Sequence, residues 1–95
     1  MQSGEEDSLM GETRSKCSQL FASMSVFSNS DPTAVHRARL KFNLIFVEVR
    51  QQAGISSRLL LARSVCDRVV EFFVHARHTP LPRELAEVSS IIDEI

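Results

Sequence analysis

Small and apolar residues recur along the chain at alternating intervals of three and four. Met10, Thr13, Cys17, Leu20, Met24 and Phe27 make one such run, and Val35, Ala38, Phe42, Ile45 and Val49 a second. Leu59, Ala62, Cys66, Val69, Phe73 and Ala76 make the third, and Leu81, Leu85, Val88, Ile92 and Ile95 the fourth. That spacing lines one side of an α-helix. The stretch FNLIFVEV, Phe42 to Val49, holds residue types that favour a strand. Its capped start, its length and the Gly54 stop predict a helix there instead.

Three breaks separate the runs. In Ser28-Asn29-Ser30-Asp31-Pro32, Asp31 is placed to accept from the free amides of a helix start, with Pro32 at the first helical position. In Gly54-Ile55-Ser56-Ser57, Gly54 can take the left-handed conformation that closes a helix. Ser56 can then cap the next helix, with Ile55 and Leu60 spaced as a hydrophobic staple. In His78-Thr79-Pro80-Leu81-Pro82 the two prolines force an extended link, and Pro82 can open a last helix. The fold expected is all-α: a four-helix bundle-like domain with helices near residues 8–27, 32–53, 56–78 and 82–95. The middle two form a central antiparallel hairpin that the outer two cover.

The middle segments carry more than one apolar stripe. Leu40, Leu44 and Val47 lie off the second line. Leu60, Leu61, Val65, Val70, Phe72 and Val74 lie off the third. A helix apolar around most of its circumference is buried on several sides. Four short helices cannot bury so much, and the surplus predicts exposed patches and self-association, most simply as a homodimer. The candidate protein-contact residues are Leu40, Leu44, Val47, Leu61 and Phe72.

Composition narrows the class. A chain of 95 residues suits one domain. With 43% hydrophobic residues and a net charge of −1, it is not a disordered chain. The polar, acidic start, residues 1–7, is expected to be disordered, and residues 8–95 to form a single helical domain. That start lacks the basic and apolar regions of a secretory signal, and no apolar run reaches membrane-spanning length. Two isolated cysteines, Cys17 and Cys66, make no disulfide framework. They fit a reducing compartment, with the cytoplasm expected and the nucleus or a host cytosol as alternatives.

The net charge conceals a segregation. Residues 1–35 sum to −3, residues 36–83 to +6 and residues 84–95 to −4. One reading neutralises the basic centre with the acidic ends, aided by the helix-surface pairs Arg63–Asp67, Arg68–Glu71 and Glu71–His75. The other makes Arg37, Lys41, Arg50 and Arg58 a phosphate-contacting patch. The first is preferred: the chain has no overall basic excess and no Tyr or Trp for stacking on bases. Val47 to Val65 resembles a helix-turn-helix at its turn only, since Arg50 and Arg63 stand where small and apolar residues are needed.

No catalytic pattern emerges. The chain has no glycine-rich phosphate loop, no GxSxG and no HExxH. His75 and His78 have the spacing to share a metal, but Cys66 is too far along the helix to join them. They read as polar residues near a helix end, where imidazolium complements the dipole. Cys17 and Cys66 read as small core residues. The sequence therefore predicts no enzyme, no cofactor and no metal. It predicts a protein–protein interaction module, such as an adaptor, regulator or small chaperone, acting through apolar helix faces. A nucleic-acid-binding domain using the Arg/Lys patch is the alternative.

Overall fold

A computed structural model describes residues 3–27, 32–76 and 80–95. They form four helices: α1 (Ser3–Phe27), α2 (Pro32–Ala53), α3 (Ser57–His75) and α4 (Pro82–Ile92). Among the described residues there is no strand, so the β-favouring run in α2 is helical throughout. Helix α1 begins at Ser3, within the stretch for which the sequence predicted disorder. Glu5 and Glu6 occupy its first turn, where they complement the helix dipole. Asp7 pairs with Arg58 and so ties that end to the start of α3. The expected Asp31 cap and the His78-Thr79 link lie outside the described residues.

The break at Gly54 forms as its residues dictate. Gly54 has φ +73°, a left-handed conformation that closes α2, and its amide donates to the Arg50 carbonyl at 2.8 Å. Ser56 then caps α3, its hydroxyl accepting from the Leu59 amide at 3.1 Å. Pro82 opens α4, and Glu84 reaches back to accept from the Leu81 amide at 3.0 Å. The Gly54 turn makes α2 and α3 an antiparallel hairpin. Arg39, toward the start of α2, meets Glu71, toward the end of α3.

One core joins all four helices. Helices α1 and α3 each pack on all three of the others, and α4 packs on α1 and α3. The principal neighbours of α2 are α1 and α3, so its far side is uncovered. Where α1 meets α3, Met10, Thr13, Cys17, Val65, Cys66, Val69 and Phe73 are almost wholly buried. Thr13 keeps its hydroxyl satisfied there by donating to the Leu9 carbonyl at 2.8 Å. Phe21 and Phe42 join α1 to α2 with ring centroids 4.6 Å apart. The extents of 43 × 24 × 17 Å leave room for about two helix layers in the thinnest direction. A layer so thin leaves outward helix faces with nothing above them.

Candidate interaction surface

The five contact residues proposed from sequence do not share one environment. Leu40, Leu44, Val47 and Leu61 are exposed, and Phe72 is half-buried. The Phe72 ring packs edge-on to Phe73, at 5.3 Å and 85°, so it belongs to the margin of the core. Leu40, Leu44 and Val47 follow one another at intervals of four and three along α2. They form an outward stripe on the side opposite Phe42, Phe46 and Val49. Helix α2 is therefore apolar on two sides, of which only one is covered.

Two further residues join this surface that the sequence reading had used as local packing. Ile55 and Leu60, placed as a staple, remain 64% and 59% exposed. Both line a notch of about 240 Å³ between the end of α2 and the start of α3. Phe46 and Leu59, both buried, form its base. Val47 continues it toward the α2 stripe, and Arg50 and Arg63 stand at its rim. Leu61 lies about 100° further round α3 than Leu60 and does not line the notch. A cluster of exposed apolar side chains around a turn was the signal available in the sequence. The staple spacing, which accounts for the same residues locally, concealed it.

The four cations of the nucleic-acid reading are dispersed. Arg37 and Lys41 line a groove between α1 and α2 with Leu20 and Met24. Arg50 lies nine residues beyond Lys41, about two and a half turns, which puts it on the other side of α2. Arg58 is paired with Asp7.

Charge neutralisation runs mainly between helices. Arg68 meets Glu94 at 2.6 Å and Lys16 meets Glu48 at 3.5 Å. Glu71 meets Arg39 at 3.7 Å and His75 at 3.0 Å. Of the expected pairs within α3, Glu71–His75 forms, whereas Arg68 is drawn to Glu94 instead of Glu71. Arg63 and Asp67 make no ion pair. Arg37, Lys41, Arg50 and Arg63 have no acidic partner among the described residues.

Cys17 and Cys66 are free thiols, 0% and 1% exposed, with the Cys66 thiol donating to the Cys17 sulfur at 3.4 Å. That hydrogen bond and burial together push the Cys66 pKa far above its ordinary value. A buried thiol held protonated is a poor nucleophile, which agrees with a packing role. No His, Cys, Asp and Glu cluster suited to a metal ion occurs among the described residues. No described helix is long and apolar enough to cross a membrane. No protein-family model matches the chain, and neither curated proteins nor solved structures give a significant match to it.

Proposed function

We propose that this domain is a non-catalytic protein–protein interaction module, an adaptor, regulator or small chaperone. Its contact surface is the outer side of α2 together with the α2–α3 turn. Another protein, or a second copy as homodimer partner, covers that surface. The observation that carries the reading is the continuity of Leu40, Leu44, Val47, Ile55 and Leu60 as exposed large apolar residues on one side of a thin bundle. Scattered surface leucines are ordinary, but a contiguous set around a notch favours a covered state. A helix laid against such a set would place its own apolar residues at intervals of three and four. The reduced, buried thiols fit work in a reducing compartment such as the cytoplasm.

The test is a triple substitution, Leu40→Gln, Leu44→Gln and Val47→Gln, compared with the parent by sedimentation and by chemical cross-linking in the source cell. The reading expects unchanged circular dichroism and loss of whatever self-association or cross-linked partner the parent has. An unchanged association pattern in the triple variant would contradict it.

A further inference from the structure

Building on that interaction reading, we infer that the notch at the α2–α3 turn receives an acidic, amphipathic helix from another protein. One large apolar side chain of that helix enters between Val47, Ile55 and Leu60. Carboxylates one turn to either side of it meet Arg50 and Arg63.

Charge is used unevenly within the fold. Lys16, Arg39, Arg58, Arg68 and His75 each have a carboxylate of this chain beside them. The two guanidinium groups at the rim of the notch have none among the described residues. A guanidinium is a planar fork that engages both oxygens of a carboxylate at once, and such pairs are stronger than neutral hydrogen bonds. Arg50 and Arg63 flank an apolar cavity of about 240 Å³, room for one leucine- or phenylalanine-sized side chain. An apolar anchor with acidic neighbours is the pattern that an acidic amphipathic helix presents along one side. Arg37 and Lys41 extend the unpaired basic rim to the other flank of the α2 stripe.

The same charges weigh against the other occupants. A second copy would bring Arg37, Lys41, Arg50 and Arg63 of each protomer toward those of its mate, and juxtaposed like charges suppress association. A nucleic acid would set phosphates against the exposed walls formed by Ile55 and Leu60. It would also find no Trp or Tyr on which to stack a base.

The test uses the full chain and two fluorescent synthetic helices with the same leucine stripe. One has glutamates flanking the stripe and the other has lysines. Fluorescence anisotropy is expected to show the glutamate helix binding at least ~10-fold more tightly than the lysine helix, with the difference shrinking as salt rises. Arg50→Glu with Arg63→Glu, both at exposed positions, is expected to reverse the preference while leaving the circular dichroism unchanged. Ile55→Ser with Leu60→Ser is expected to abolish binding of either helix. If both helices bind equally and Ile55→Ser with Leu60→Ser abolishes both, the interaction surface stands and its acidic preference is overturned. If neither helix binds, and sedimentation shows a dimer disrupted by Leu44→Glu, the occupant is a second copy and the inference fails. Tighter binding of a DNA duplex than of the glutamate helix overturns it as well.

Discussion

Cys17, Cys66 and Phe73, where α1 meets α3, have lost essentially all contact with solvent, whereas Val47, Ile55 and Leu60 at the α2–α3 turn keep about half of theirs or more. The residue types are similar and so is the helical spacing. The difference lies in how many helices converge. At the seam, α4 closes on the same side and packs against both α1 and α3. At the turn α1 is tied to the start of α3 through Asp7 and Arg58, but the outer side of α2 has no helix over it. Fully burying a large aliphatic side chain stabilises a protein by about 1.5–3 kcal/mol. At the seam that gain is part of the fold. At the turn the same gain is not realised within this chain, and on the proposed reading an association realises it.

The comparison is broken most directly from the buried side. Phe73 is fully buried and lines the grooves that α3 makes with α1, α2 and α4. Phe73→Ala is expected to cost about 3–5 kcal/mol in urea unfolding, enough to unfold much of a domain this size. A cost under about 1 kcal/mol would mean that the seam is loosely packed.

A smaller effect comes from pH. The Cys66 thiol stays protonated in the folded state to well above its ordinary 9.0, because it donates to Cys17 and is buried. Once unfolded it ionises near its ordinary value. Above about pH 9 the unfolded chain therefore binds fewer protons than the folded one, and stability falls by up to about 1.4 kcal/mol per pH unit from this group. Below that pH the contribution is fully present and does not change. Urea titrations at pH 10 and pH 11 are expected to show the parent losing more stability between the two than a variant with both Cys17→Ala and Cys66→Ala, because the buried pair keeps one proton that the unfolded chain has lost. Equal losses would show that the Cys66 thiol is not held protonated in the fold.

The smallest effect belongs to the outer side. Leu44→Gln removes an apolar side chain that is 63% exposed. Its expected effect on unfolding free energy is within about 0.5 kcal/mol. A loss above about 2 kcal/mol would place Leu44 in a covered core and remove the contrast.

These differences explain what the sequence could and could not reveal. Helix positions were legible because Gly54, Ser56 and Pro82 act locally, through backbone conformation and capping. Core stripes were legible to within about one residue. Phe46 and Phe21 are buried where Ile45 and Leu20 had been placed on the line and prove half-buried. Contact with two neighbouring helices turns the buried side a little away from a single ideal stripe. Leu40, Leu44 and Val47 stood out as surplus to the core. Phe72 did too, but its neighbour Phe73 holds the ring at the core margin. The notch was not legible, since Arg50, Ile55 and Arg63 come together only when the turn folds α3 back along α2. Charge was readable in sign but not in partner. Arg68 lies near Glu71 in sequence, yet its carboxylate is Glu94, supplied after the chain returns as α4.

The most direct measurement compares thiols on the two sides. In the protein carrying Leu44→Cys, a thiol reagent such as 5,5′-dithiobis(2-nitrobenzoate) is expected to titrate the introduced thiol at once. Cys17 and Cys66 are expected to react only on unfolding, and the acidic helix to slow reaction at position 44. An introduced thiol as protected as Cys17 in the isolated protein, or native cysteines that react as quickly as position 44, would contradict the account.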